Sequence, residues 1–191
     1  MSSGSDLGYQ AVRTNVIILA AGASSRMGHP KALTMLDGEA ALARIVRLAK
    51  GARCVVVLGE HHDIVRAAHP GLAVEWVHNR APDAGRTGSL QWGLAHTRAE
   101  RVLVWPVDHP LARAETIAIL LATRGEWIVP TFKGRGGHPI VLGPAGIAAV
   151  RAAAPDAPLR DVLRDAGIAV TRVAVDDAGV VANLDTPEDL R

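Results

Sequence analysis

One stretch of this 191-residue chain concentrates the residue types that hold phosphate: Leu19-Ala20-Ala21-Gly22-Ala23-Ser24-Ser25-Arg26-Met27-Gly28-His29-Pro30-Lys31. It leaves an apolar run, becomes small and flexible, and ends basic. Gly22 and Gly28 permit positive φ, and the small residues between them let backbone N–H groups approach phosphate oxygens. Arg26 offers a planar fork for bidentate contact, whereas Lys31 supplies a point charge. Lysine occurs only at positions 31, 50 and 133, so one at the end of this loop carries weight. Spacing sets two better-known loops aside. A Walker A loop requires Gly-Lys-Ser/Thr, but Lys31 stands three residues after Gly28 and is followed by Ala32. The dinucleotide fingerprint needs glycine two residues after Gly22, where Ser24 stands.

Acidic residues that suit a hard cation lie further on. Val102 to Pro110 is an apolar strand running into Asp108 between two prolines, which presents a carboxylate rigidly at a strand's carboxyl end. The same Asp is also compatible with an ordinary turn. In Asn183-Leu184-Asp185, alternation along an extended chain puts Asn183 and Asp185 on one face, so both can reach a shared cation. Asp185 equally suits a helix cap, because Thr186-Pro187-Glu188-Asp189 reads as the start of a final helix. Ser89 at a helix start suits hydrogen bonding to a base or ribose, or plain capping. Thr131 to Pro139 is a basic, glycine-rich loop in which Lys133 and Arg135 are placed to receive a phosphate, or to be solvated on a hairpin turn. His61-His62-Asp63 is a solvated helix start rather than a zinc site, since adjacent histidines on a helix cannot face one ion.

The elements that must position these residues alternate between strand-length apolar runs and stretches of helical period, the pattern of βαβ units around a mainly parallel sheet. Strands are expected at Asn15–Ala20, Arg53–Leu58, Ala73–Val77, Arg101–Trp105, Trp127–Pro130, His138–Leu142 and Ile168–Val175. Helices are expected at Glu39–Lys50, Asp63–Ala68, from Thr87 or Gly88 to about Thr97, and at Glu115–Thr123, Ala145–Ala153 and Leu159–Asp165. In the third of these, Leu90, Trp92 and Leu94 are expected to form a buried stripe. Ligands of open parallel sheets sit beyond the carboxyl ends of the strands, so the loops after Ala20, Val77, Trp105 and Val181 are where chemistry belongs.

Composition narrows the partners. A net charge of +2 without dense Lys/Arg blocks argues against a nucleic-acid or membrane-surface binder and for a small-molecule substrate. The single cysteine, Cys54, excludes an internal disulfide and fits a reducing, cytoplasmic setting. The run Val16–Ala21 after Arg13 imitates a signal peptide but is too short and is followed by Arg26 and Lys31. No apolar stretch approaches the roughly 20 residues that cross a bilayer. Residues 1–12 read as a disordered lead to a single domain over residues 13–191.

The loop from Leu19 to Lys31 resembles the signature of the MobA-like NTP transferases: Leu-Ala-Ala/Gly-Gly, a short variable loop, Arg-Met-Gly, one residue, Pro-Lys. Pro106-Val107-Asp108-His109-Pro110 resembles that family's magnesium-binding Pro-x-Asp-x-Pro, and Asn183 to Asp189 its closing motif, with Asn183 a departure from the more common Asp. Asn79, Gly85 and Gly88-Ser89-Leu90 resemble the segment that lines the nucleotide, although the family's Met-Gly-Ser-Ser is here Arg86-Thr87-Gly88-Ser89. Gly137-His138-Pro139 matches a similar Gly-His-Pro. The resemblance implies a three-layer αβα sandwich with a Rossmann-like, mainly parallel sheet of the nucleotide-diphospho-sugar transferase type. It implies magnesium-dependent transfer of a nucleoside monophosphate from its triphosphate to a small phosphorylated acceptor such as molybdopterin. Arg26, Lys31 and Asp108 would be catalytic, and Asp108, Asn183 and Asp185 would hold Mg²⁺. Residues 19–25, Gly28, Asn79, Gly85 and Ser89 would bind nucleotide, and Lys133, Arg135 and His138 the acceptor. Ala21 points to CTP, because the family's Ala-Gly-Gly form accompanies GTP. GMP transfer, CMP transfer to a sugar or polyol phosphate, and a non-catalytic nucleotide-binding module are the alternatives. The chain is expected to work as a monomer or weak homodimer.

Overall fold

In the computed structural model, residues 14–23, 27–49, 51–185 and 189 are described. β1 (Thr14–Ala20) runs into the glycine loop, a short 3-10 turn (Lys31–Leu33) and the hairpin β2 (Met35–Leu36) and β3 (Glu39–Ala40). There follow α1 (Ala41–Leu48), β4 (Cys54–Leu58), α2 (His62–Ala68), β5 (Glu75–His78) and α3 (Arg86–Ala95). The second half comprises β6 (Arg101–Pro106), α4 (Ala114–Ala122), β7 (Trp127–Phe132), β8 (Arg135–Gly136) and β9 (Ile140–Leu142), then α5 (Pro144–Ala152), α6 (Leu159–Asp165) and β10 (Thr171–Ala174).

The main sheet has the order β10-β7-β9-β6-β1-β4-β5, with β8 paired to β7. β1, β4, β5 and β6 are parallel neighbours, as are β7 and β10, whereas β9 is antiparallel to both β6 and β7. Strand alternation divides β1 between two cores. Val16 and Ile18 pack on one face with Leu42 and Ile45 of α1 and Ile117 and Leu120 of α4. Ile17 and Leu19 pack on the other with Leu90 and Leu94 of α3, Ile147 and Val150 of α5 and Leu163 of α6. Helices on both faces explain why β4, Cys54 included, is buried along its whole length.

Two expectations need correction and a third is not tested. The helix read from Glu39 starts at Ala41, because Asp37 and Gly38, both with positive φ, form a tight turn that pairs Met35–Leu36 with Glu39–Ala40. Trp92 is 38% exposed, since residues two apart on a helix lie on opposite sides and Leu90 and Leu94 take the inner face. The expected helix over Thr186–Asp189 lies outside the described residues except for Asp189.

α3 lies unusually close to the sheet at Gly93, where an added Cβ would come within 2.5 Å of Ile17 Cγ2 and 3.1 Å of Val57 Cγ2. Gly93→Ala should therefore lower the unfolding free energy by about 1–3 kcal/mol through overpacking, offset by roughly 1 kcal/mol of helix propensity. Urea unfolding measures the net loss; a midpoint at or above that of the wild type would contradict this packing.

Candidate functional site

The parallel strands β1, β4, β5 and β6 point their carboxyl ends to one edge of the sheet, and the loops that leave them surround a cleft of about 320 Å³. Its walls include Leu19, Ala20, Ala21 and Gly22 from the first loop, Lys31, Gly85, Arg86 and Ser89, and the acidic pair Asp108 and Asp185. A second cavity of about 340 Å³ adjoins it through Ala21 and Gly22 and is lined by Ala23, His78, Asn79 and Arg80.

The glycine loop is fastened at several points. Met27 is buried, and His61 Nε2 lies 3.0 Å from the Ala23 carbonyl oxygen. Gly59, at the end of β4, abuts the loop so closely that a Cβ there would approach the Ala21 carbonyl oxygen to 2.4 Å. Gly28 adopts φ +70° in open space and turns the chain towards Lys31, without itself lining the cleft. Ser24, Ser25 and Arg26 lie outside the described residues.

Lys31 is the junction of the site. Its ammonium donates to Asp185 Oδ1 and lies 4.0 Å from Asp108 Oδ2. Arg86, opening α3, reaches 3.9 Å from the same Asp108 oxygen. Asp185 Oδ2 accepts from Asn183 Nδ2 at 2.8 Å, and the Asp185 backbone N–H donates to Asp189 Oδ2 at 2.8 Å. Leu184 N–H donates to the Asp108 carbonyl at 2.8 Å, which holds the closing segment against the end of β6. Asp185 and Asp108 are thus brought to the cleft wall, with Asn183 bonded to Asp185 but not itself lining the cleft.

Asp177 and Asp108 show how differently this fold treats structural and site acids. Asp177 accepts from the Gly179 N–H at 2.9 Å, the Arg113 N–H at 2.8 Å and the Thr116 hydroxyl at 2.6 Å, and so is satisfied as a cap. Asp108 Oδ1 is buried and has no hydrogen-bond partner among the described residues. An orphaned carboxylate oxygen is costly unless a ligand completes it. Among the described residues, no group of three or more His, Cys, Asp or Glu is arranged to hold a metal by itself. Mg²⁺ asks for less, since it is bound by one or two carboxylates with substrate phosphates and water supplying the rest. Asp108 and Asp185, both reached by one ammonium, are oxygen donors of that kind.

Behind Asp108 lie two histidines. His109 and His138 rings sit 4.8 Å apart, and each buried Nδ1 lacks a hydrogen-bond partner among the described residues. His138 reaches this edge because β9 is antiparallel, so its entry meets the exit of β6. Burial holds His109 below its ordinary range against the opposing pull of Asp108. Burial, helped by the charges of His109 and Arg86, pushes His138 down to about 3.

The remaining expected residues separate into two groups. Asn79 is buried, with Oδ1 accepting from Ala81 N–H at 2.9 Å and Nδ2 donating to Ser89 Oγ at 3.1 Å, so it positions Ser89 at the cleft wall. Gly85 has φ +115°, and a Cβ there would meet the Pro155 carbonyl oxygen at 2.7 Å. By contrast, Lys133 stands exposed on the turn between β7 and β8, with its Nζ 5.3 Å from the Phe132 ring centre, and Arg135 stands exposed at the start of β8. Neither they nor His138 line the cleft. Arg86 and His61 do line it, and sequence reading assigned neither a role there.

His138 yields a stability prediction. Its pKa falls from the ordinary 6.5 to about 3 on folding, so between those values the unfolded chain binds the extra proton. The contribution is complete above pH 6.5 and is lost as pH falls towards 3. Wild type should therefore lose more stability than His138→Gln between pH 7 and pH 4 in chemical denaturation; an equal or larger loss in the variant would contradict the assignment.

No helix among the described residues is long and apolar enough to cross a membrane. Residues 16–174 match the family model of the MobA-like NTP transferase domain. The bifunctional protein GlmU of Chromobacterium violaceum is 35% identical over 109 residues, covering 54% of this chain and 24% of that protein. The molybdenum cofactor guanylyltransferase of Xanthomonas euvesicatoria pv. vesicatoria is 38% identical over 109 residues, covering 56% of this chain and 52% of that protein. Curated relatives such as these are matched over 24% to 62% of their own length. Over its fold, the chain is similar to the crystal structure of Rv0371c from Mycobacterium tuberculosis H37Rv, with a TM-score of 0.77, 25% identity, and 92% of this chain and 95% of that one covered. With its family model matching residues 16–174, the chain belongs to the MobA-like NTP transferase family.

Proposed function

We propose that this protein transfers a nucleoside monophosphate, CMP in the first instance, from its triphosphate to a phosphorylated small-molecule acceptor of the molybdopterin class. The observation that carries this reading is the convergence of Lys31, at the end of the glycine loop, on Asp108 and Asp185 at the carboxyl edge of the sheet. A cation that ends a phosphate loop, facing carboxylates that suit a divalent ion, is the minimum apparatus for holding a metal–triphosphate complex.

In this reading Asp108 and Asp185, with Asn183 beside them, hold Mg²⁺. When bound, the ion neutralises charge on the triphosphate oxygens and on the departing group. The backbone of residues 20–23 approaches the phosphate tail, while Lys31 and Arg26 balance its charge. An oxygen of the acceptor's phosphate forms a bond to the α-phosphorus as the bond from that phosphorus to the α,β-bridging oxygen breaks. The electron pair leaves with pyrophosphate. An ionised phosphate needs no strong general base, so catalysis consists of positioning and charge neutralisation. His109 and His138, held below their ordinary range by burial, stay neutral near pH 7 and bring no further positive charge to Asp108.

Ala21, which lines both cavities, supports CTP, because the family's Ala-Gly-Gly form accompanies GTP. GTP is the second reading, favoured by the guanylyltransferase name of the Xanthomonas relative. Pyrophosphate release with each of four triphosphates, Mg²⁺, and either extracted pterin cofactor or a panel of small phosphates tests the assignment. Release confined to one triphosphate with one acceptor is expected, and no release in any combination would overturn it. Lys31→Ala and Asp108→Asn should each reduce that release by about 10²–10³-fold with unchanged circular dichroism. Wild-type turnover in both variants would remove the proposed roles.

A further inference from the structure

Lys31 stands on a 3-10 turn whose Ala32 packs in the core on one face of the sheet, together with Leu42 and Ile45 of α1. Arg86 opens α3, whose Leu90 and Leu94 pack in the core on the opposite face. From these opposite sides both cations reach the same atom, Asp108 Oδ2, at 4.0 Å and 3.9 Å. The two cations that meet at this carboxylate thus come from elements packed on opposite faces of the sheet.

The pairing of Arg86 with Asp108 does not account for the arginine as a structural residue. Its side chain is 65% exposed and makes no hydrogen bond among the described residues. An ion pair this open, at a distance beyond hydrogen-bond reach, contributes little to stability. Its guanidinium fork instead faces the cleft that Lys31, Ser89 and Asp185 also line. A guanidinium held at a cleft by one loose partner suits a planar, two-point contact with a phosphate.

We infer that Arg86 receives the phosphate of the acceptor, and so sets both the class of the second substrate and the side from which it attacks. This inference rests on the nucleotidyl-transfer reading and deepens it. In-line displacement places the attacking oxygen and the departing pyrophosphate on opposite sides of the α-phosphorus. In the nucleotidyl-transfer reading the pyrophosphate side belongs to the glycine loop and Lys31, which line the cleft. Arg86 reaches Asp108 from α3, on the other face of the sheet from the turn that carries Lys31. Lys133 and Arg135, the cations that sequence reading favoured for this task, stand exposed on a hairpin and do not line the cleft. The ligand class implied is a phosphate monoester, dianionic at neutral pH, whose terminal oxygens Arg86 can grip two at a time.

The test uses the whole chain and inorganic phosphate as the probe. Calorimetry first measures binding of a non-hydrolysable CTP or GTP analogue with Mg²⁺, and then binding of phosphate to the protein saturated with that complex. Wild type is expected to bind both. Arg86→Ala should weaken phosphate binding at least ten-fold while the triphosphate affinity stays within two-fold, and Arg86→Lys should recover part of the loss. In turnover, the same variant should raise the acceptor KM with little change in the triphosphate KM. Equal phosphate affinity in wild type and Arg86→Ala, absence of phosphate binding in wild type, or a loss falling on the triphosphate would overturn the inference while leaving the nucleotidyl-transfer reading standing. Failure of wild type to bind either triphosphate would instead defeat that reading, and this inference with it.

Discussion

The site is organised by a charge constraint: Asp108 and Asp185 are held at one end of a cleft, and a single ammonium, that of Lys31, answers to both. Two carboxylates confined together raise each other's energy unless a cation stands between them. Here that cation comes from a residue 154 positions away from Asp185 in the chain, so the electrostatic requirement also fixes topology. The loop after β1 and the segment that closes the chain must meet above β6. The Leu184 N–H bond to the Asp108 carbonyl secures that meeting through the backbone, independently of charge.

The sheet supplies the rigidity that this arrangement needs. β1 lies between β4 and β6, is buried on both faces, and delivers the glycine loop from the middle of the sheet rather than from its edge. Two insertions refine the frame. The antiparallel β9 brings His138 to the edge where the parallel strands end, and so places a second neutral imidazole against His109, on the buried side of Asp108. Gly85, with φ +115° and no room for a Cβ beside the Pro155 carbonyl, turns the chain into α3 so that Arg86 and Ser89 open on the cleft. The end of β6 thus presents Asp108 and the segment bonded to it presents Asp185, while loops fastened at Met27, His61 and Gly59 present the donors.

Much of this was legible in the residues, for identifiable reasons. Buried parallel strands are continuous apolar runs, so β1, β4 and β6 stand out, and the strand-end positions of the glycine loop and Asp108 follow from them. Lys31 was recognisable because lysine is scarce in this chain and one follows the loop. Other features gave little sign. The β2–β3 hairpin is two residues a side, too short for a periodic signal, although its Asp37-Gly38 turn is a recognised hairpin type. Trp92 was misplaced because aromatic character was weighed above helical angle. Arg86 looked like a break in a motif within an arginine-rich sequence, and only the approach of α3 to β6 gives it a partner. Lys133 and Arg135 were attractive by composition, yet charge and glycine in a loop describe a solvated hairpin as well as a binding site.

The central claim is that Asp108 and Asp185 hold a divalent ion against a triphosphate gripped by the backbone of the first loop and by Lys31. Anomalous diffraction from crystals grown with Mn²⁺ and a non-hydrolysable nucleoside triphosphate addresses it directly. The account predicts a manganese peak bonded to the Asp108 carboxylate, with the phosphate tail along residues 20–23 and its outer oxygens within reach of Lys31. A triphosphate bound elsewhere, or manganese that ignores both carboxylates, would contradict it.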